Sequence, residues 1–178
     1  MEIEIKYRID YDNPREEHFS ESFVHNCETL VAIKDHYYLH LYNRILARIR
    51  EFACDKGFIW TLKSLNDKQN DISIRDEAEI PVANMKDAVN MLTMLGYTYS
   101  HFIDKTRYSI KTDKATVSID DFVCPNLGKF LEIEVDTNVS ADEAEQVIEE
   151  VKKALNIPDL SVVHESCFEM SNEFQTKE

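Results

Sequence analysis

Glycine and proline are scarce in this chain, three and four among 178 residues. No Gly-, Ser- or Pro-rich stretch supplies a linker, and no segment repeats, so no internal domain boundary is expected. The four cysteines, Cys27, Cys54, Cys124 and Cys167, stand far apart without a CxxC pair. That excludes a zinc knuckle and a redox dithiol, and it suits free thiols in a reducing cytosol. Six histidines (His18, His25, His36, His40, His101 and His164) show no ligand spacing and read as surface or packing residues. No basic segment leads into an apolar stretch at the start, and no window approaches a membrane span, so a cytoplasmic protein without a membrane partner is expected. Positive charge is in short supply: 20 Lys and Arg against 34 Asp and Glu give a net charge of −14. Such a balance disfavours nucleic acid and anionic membranes, and any polyanionic ligand must meet a local positive site inside an acidic body. What is plentiful is apolar residues, at 43%, enough for one core in a single domain spanning 1–178.

Strict polar/apolar alternation recurs along the chain: 2–9 (EIEIKYRI), 45–52, 57–64, 71–81, 104–112, 115–122 and 130–137. With 29–42 these make about eight strands. Helices are predicted over 13–26, where Asn13 and Pro14 open the segment, over 84–96 between an Asn and a Gly, and over 140–156, where Ser140 and Glu143 form a capping box. A further short helix fits 164–174. The order is mainly β with helices inserted, an α+β class rather than repeated βαβ.

The polar face of these strands is selectively charged. Residues i and i+2 project together, roughly 6–7 Å apart, so Glu2, Glu4 and Lys6 share one face. So do Arg48 and Arg50, Thr61 and Lys63, Glu77 and Glu79, Lys105 and Arg107, and Glu132 and Glu134; Asp120 projects with Ser118 and Thr116. Two carboxylates about 6.5 Å apart repel by roughly 2–3 kcal/mol at an effective dielectric near 20, so each acidic pair needs counter-charge from elsewhere. A water-exposed meander laced with surface ion pairs is the plainer account, but it does not explain the segregation of acidic from basic pairs strand by strand. A closed antiparallel barrel does: the charges line its lumen, and the opposite face, with Ile3, Ile5, Ile49, Trp60, Leu62, Ala78, Tyr108, Ile119, Leu131 and Ile133, is covered by helices outside. Arg and Lys along such a lumen match a chain of phosphates, and the carboxylates make sense as ligands of a hard cation such as Mg²⁺ or Mn²⁺.

The segment EIEIK resembles the ExExK signature of the CYTH superfamily, the triphosphate tunnel metalloenzymes, which include class IV adenylate cyclases, thiamine triphosphatases and inorganic triphosphatases. ARIR, TLK, EAE, KTR, SIDD and GKFLEIEV resemble the family's later strands in the same order. The resemblance implies a metal-binding group of Glu2, Glu4, Glu132 and Glu134 assisted by Asp120, with Glu77 and Glu79 either holding a second metal or positioning basic residues. It implies that Lys6, Arg48, Arg50, Lys63, Lys105 and Arg107 grip a triphosphate, with Glu4, Lys6 and Glu132 at the reacting centre. An internal ion-pair network is the competing account of these charges, one that buries charge at a desolvation cost. Residues 29–42 depart from the family pattern, and their lumen-facing members are not assigned.

Three functions share this site. A triphosphatase directs water onto the terminal phosphorus of tripolyphosphate, a nucleoside triphosphate or thiamine triphosphate; a class IV cyclase turns ATP into cyclic AMP and pyrophosphate; a noncatalytic module binds polyphosphate. Class IV cyclases carry HF just upstream of ExExK, and this sequence has no residues there to supply it, so the triphosphatase is the leading expectation. Attack by a metal-bound or carboxylate-positioned water is expected, because nearby carboxylates keep Lys6 and Lys63 protonated. A monomer and a homodimer fit the sequence equally.

Overall fold

The computed structural model describes residues 2–9, 29–42, 44–53, 57–64, 67–69, 71–136 and 140–175. The strands are β1 (Glu2–Ile9), β2 (Thr29–His40), β3 (Ile45–Phe52), β4 (Phe58–Ser64), β5 (Asp67–Gln69), β6 (Ile72–Arg75), β7 (Glu77–Val82), β8 (Tyr97–Lys111), β9 (Ala115–Cys124), β10 (Gly128–Val135) and β11 (Ser161–Val162). The helices are α1 (Met85–Met94), α2 (Ala141–Ala154) and α3 (Cys167–Gln175). The helix predicted over 13–26 lies outside the described residues.

All pairings are antiparallel, in the order β6-β1-β10-β9-β8-β2-β3-β4-β7, with β5 on β6 and β11 on β1. Residues 71–81, predicted as one strand, are broken at Asp76, whose carbonyl accepts from the Ser64 N–H and whose own N–H donates to Ser64 Oγ. The part before the break pairs with β1, Arg75 opposite Glu2, and the part after it pairs with β4, Glu77 opposite Lys63. One interrupted strand therefore joins the two ends of the ladder. Counted that way, the order returns on itself as a ring of eight long strands, in agreement with the predicted barrel; β5 and β11 are short additions. Strand β8 is longer than expected, running back to Tyr97 to pair with the far end of β2.

Two apolar clusters lie outside the ring. Ile3, Ile5, Ile119, Leu131 and Ile133 pack under Ala144, Val147, Ile148 and Val151 of α2. Ala47, Ile49 and Trp60 pack under Ala88 and Leu92 of α1. These are the strand faces expected to carry helices, except that Ala78 is exposed. The helix signals act as read: Asn84 accepts from the Asp87 N–H to start α1, and Ser140 and Glu143 close a reciprocal capping box on α2. Helix α1 leads into Gly96 at φ +85°, where a side chain would also crowd the His40 ring. A third cluster, Tyr37, Ile103, Phe122 and Phe130, lies on the inward faces of the strands against Cys167, Phe168 and Met170 of α3.

Candidate active site

Inside the ring is a cavity of about 280 Å³ with a lining dominated by charged side chains. Arg48, Arg50, Lys105 and Arg107 gather on two aspartates with no exposed surface, Asp35 of β2 and Asp120 of β9. Arg50 Nε and Nη2 donate to the two oxygens of Asp35 at 2.7 and 2.9 Å, a bidentate fork. Arg107 Nε and Nη2 donate to Asp120, both at 2.6 Å, and Nη2 also reaches Glu132 at 2.6 Å. Lys105 Nζ lies 2.7 Å from Asp120 and 3.7 Å from Asp35, so it links the two. Arg48 donates to Glu79 at 3.0 Å and to Thr61 Oγ1 at 3.1 Å, while its buried Nε has no hydrogen-bond partner among the described residues. Burial opposes ionisation of both aspartates, yet Arg50 and Arg48 beside Asp35, and Arg107 and Lys105 beside Asp120, hold their carboxyls below the ordinary range.

The facing wall is acidic. Glu4 and Glu134 sit directly opposite on β1 and β10, with Glu2 and Glu132 two residues away on the same strands. Glu2 is pulled two ways, both oxygens 3.1 Å from Lys63 Nζ and Oε2 2.7 Å from Arg75 Nε. The Arg75 Nη2 also contacts Glu4. Burial would raise the Glu2 pKa, but Lys63 and Arg75 hold it down to about 2. Lys63 is shared with Glu77 at 2.8 Å. There burial, helped by the neighbouring Glu2 carboxyl, outweighs Lys63 and pushes Glu77 up to about 7. Glu132 lies 3.3 Å from Lys6, whose pKa is held above the usual ammonium range: burial opposes this, and the Cys167 and Glu132 side chains outweigh it. Lys6 is therefore a hydrogen-bond donor and not a base. Glu134 takes part in no ion pair among the described residues, and burial, then Glu2, raises its pKa.

Tyr37, Leu46, Ser166, Cys167 and Phe168 complete the lining. Phe168 stacks on His101 with ring centroids 5.2 Å apart, and His101 Nε2 lies 2.6 Å from Ser171 Oγ. Ser166 and Glu169 cap α3 reciprocally, which seats the first turn of that helix against the cavity.

The model of the CYTH domain matches residues 1–167. The chain belongs to the CYTH domain family. Its fold is similar to that of PH1012 from Pyrococcus horikoshii OT3, with a TM-score of 0.77 and 23% identity over 96% of this chain and 99% of that one. A conserved protein of Pyrococcus furiosus gives a TM-score of 0.75 and 26% identity over the same shares. HpAC1 from Hippeastrum, named as an adenylyl cyclase candidate with a dominant triphosphatase activity, gives 0.73 and 15% over 98% of this chain and 96% of that one. Comparison of the sequence with curated proteins gives no match.

Within this CYTH domain the ring brings together the residues singled out from the sequence. Glu2, Glu4, Lys6, Arg48, Arg50, Lys63, Glu77, Glu79, Lys105, Arg107, Glu132 and Glu134 all line one cavity. Asp120 does not line it; it sits behind Lys105 and Arg107 and orients them. Glu77 and Glu79 likewise hold Lys63 and Arg48. The internal ion-pair network, weighed against a ligand site from the sequence, is present, and it is built from the same side chains. The donor set nonetheless suits a hard divalent cation: Glu2, Glu4, Glu132 and Glu134 put four carboxylates on two adjacent strands, with like charges directly opposite. Asp120, Glu132 and Cys167 also bring one donor atom each within 4.8 Å of one another, but the aspartate is committed to its cations. Sequence reading missed Asp35 and Arg75. Arg75 shares its strand face with Glu77 and Glu79, a signal that was there to use; Asp35 lies among aromatic and histidine residues that obscure the alternation of 29–42.

Proposed function

We propose that this CYTH domain is a metal-dependent triphosphatase, hydrolysing the terminal phosphate of a triphosphate held in the cavity. The observation that carries the reading is the pairing within the lining: cations and carboxylates are nearly balanced, and Lys6–Glu132, Arg48–Glu79, Lys63–Glu77 and Arg107–Glu132 lie at 2.6–3.3 Å, pairs that a ligand of both charges can exchange. A triphosphate alone would be repelled by the acids. A triphosphate entering with Mg²⁺ or Mn²⁺ lets both sets change partners without net loss of charge pairing. Arg48, Arg50, Lys63, Lys105, Arg107 and Lys6 turn to phosphate oxygens, where Arg offers forks and Lys point charges. Glu2, released by Lys63, and Glu132, released by Lys6 and Arg107, would join Glu4 and Glu134 in holding the cation, which would supply charge stabilisation on the transferring phosphoryl group.

In this reading the chain's own contribution is grip and orientation. Asp35 and Asp120 keep hold of Arg50, Lys105 and Arg107 while these meet the phosphates, so little reorganisation of those three accompanies the reaction. Lys6, kept protonated beside Glu132, neutralises charge developing on phosphate oxygens, and Glu4 and Glu132 complete the reacting centre. The triphosphatase activity reported for HpAC1 supports the same reading. A cyclase would use the same grip and needs a surface for the base, for which Tyr37 and Phe168 offer an aromatic wall.

The test is to incubate the protein with Mg²⁺ or Mn²⁺ and, separately, tripolyphosphate, ATP and thiamine triphosphate, and to resolve the products by chromatography. Orthophosphate release is expected. Cyclic AMP with pyrophosphate would replace the proposal by a cyclase, and saturable binding with no product would replace it by a polyphosphate-binding module.

A further inference from the structure

We propose that Arg75 is a gate on the metal site, an internal cation that keeps the Glu2–Glu4 pair closed to a divalent ion until a triphosphate draws the guanidinium away. The inference rests on the metal-dependent reading above and assigns a role to a residue that reading does not use. Three observations carry it. Arg75 is nine-tenths buried and lines the same cavity as the triphosphate-facing cations. Its guanidinium spans Glu2 and Glu4 of β1, and Glu4 stands directly opposite Glu134 of β10. Its Nε, although 2.7 Å from Glu2 Oε2, is not aligned for a hydrogen bond and has no other partner among the described residues.

An arginine that is buried, charged and incompletely satisfied is held by charge more than by hydrogen-bond geometry. It covers the oxygens a cation would need, and two positive groups cannot share them. The cavity offers it another place: an anionic chain there would accept its planar fork and complete its hydrogen bonds. Metal and triphosphate then bind with positive coupling, each raising the affinity of the other by the same factor. The neighbouring Lys63, also on Glu2, lies within the same exchange but does not reach Glu4 among the described contacts. Among the described residues, Arg75 alone bridges both members of the pair.

The experiment measures Mn²⁺ binding by loss of the free-ion electron paramagnetic resonance signal, with and without imido-bridged tripolyphosphate, a non-hydrolysable probe. It uses the full chain, Arg75→Gln and Arg75→Lys, with circular dichroism melting to verify folding. The unaltered chain is expected to bind Mn²⁺ at least about tenfold more tightly with the probe than without it. Arg75→Gln, neutral but still able to hydrogen-bond a carboxylate, is expected to bind Mn²⁺ alone roughly tenfold more tightly than the unaltered chain and to lose most of the coupling. Arg75→Lys keeps the charge and stays near the unaltered chain. A residue with a merely structural role would weaken Mn²⁺ binding on replacement. Folded Arg75→Gln binding Mn²⁺ alone no better than the unaltered chain overturns the gate, while coupled binding in that chain leaves the triphosphatase reading standing. Equal Mn²⁺ affinity with and without the probe in the unaltered chain also overturns the gate, whether or not the variant folds. Absence of both metal and probe binding overturns gate and site together.

Discussion

Replacing Asp120 by Asn separates a residue that orients cations from one that binds metal. The substitution keeps shape and removes one charge at a position without exposed surface, where Lys105 Nζ and both Arg107 nitrogens approach to 2.6–2.7 Å. Arg107 keeps Glu132 at 2.6 Å, but among the described carboxylates Lys105 keeps only Asp35 within ion-pair reach, at 3.7 Å. Breaking a buried pair by removing one partner costs about 3–5 kcal/mol, and the surviving Glu132 contact places this case at about 3. At roughly 2–4 °C per kcal/mol for a chain of this size, Tm is expected to fall by about 6–12 °C. Phosphate oxygens should then substitute for the lost carboxylate, so tripolyphosphate should recover more of the Tm in Asp120→Asn than it adds to the unaltered chain. Scanning fluorimetry at pH 7.5 with and without tripolyphosphate, paired with Mn²⁺ titration in the presence of the imido probe, reads both effects. A Tm change within about 2 °C accompanied by a collapse of Mn²⁺ affinity would refute the reasoning and make Asp120 a ligand.

Other outcomes follow from the same lining. Glu134→Gln alters a cavity-lining carboxylate outside every described ion pair, so Tm should hold within about 2 °C while Mn²⁺-dependent phosphate release falls at least about tenfold; a large drop in Tm with unchanged turnover would contradict this. Glu77 has its pKa raised from 4.5 to about 7, so between those values the folded chain binds more protons than the unfolded one, and stability falls as pH rises across that window. Glu77→Gln should therefore gain on the unaltered chain from pH 4.5 to 7, by up to roughly 3 kcal/mol in urea unfolding, and a constant difference would speak against it. Ser171→Ala leaves His101 Nε2 buried without its partner at 2.6 Å and should cost about 1–3 kcal/mol; near-neutral behaviour would show that the contact adds nothing.

The two-residue period made the inner face readable, because every second side chain of EIEIK, ARIR, TLK, EAE, KTR and FLEIEV turns into the ring. What the period does not carry is which strand lies opposite. Lys6 faces Glu132, Arg107 faces Asp120, and Lys63 faces Glu77; like charges along one strand are thus neutralised by unlike charges on the next. That cross-strand arithmetic produced the ion-pair network and fixed Asp120 behind the cations. The break at Asp76 was illegible for a related reason: the alternation of 71–81 is continuous, and only the two different neighbours, β1 and β4, split it. The placement of Cys167 and Phe168 against the cavity depends on contacts between the end of the chain and β2, β8 and β10, which no local pattern encodes.

The pairing of β1 with β10 has a consequence for synthesis. Glu2–Glu4 can pair with Ser73–Arg75 of β6 earlier, but along its other edge Ile3–Ile9 meets Lys129–Val135 only when those residues have been made. At about 5–20 residues per second the strand spends seconds as an open edge while its isoleucines have nothing to cover them. Its charges then serve a second purpose: Glu2, Glu4 and Lys6 interrupt a run that would otherwise be a ready template for pairing between nascent chains. The residues that form one wall of the cavity in the finished protein guard the unfinished one against aggregation.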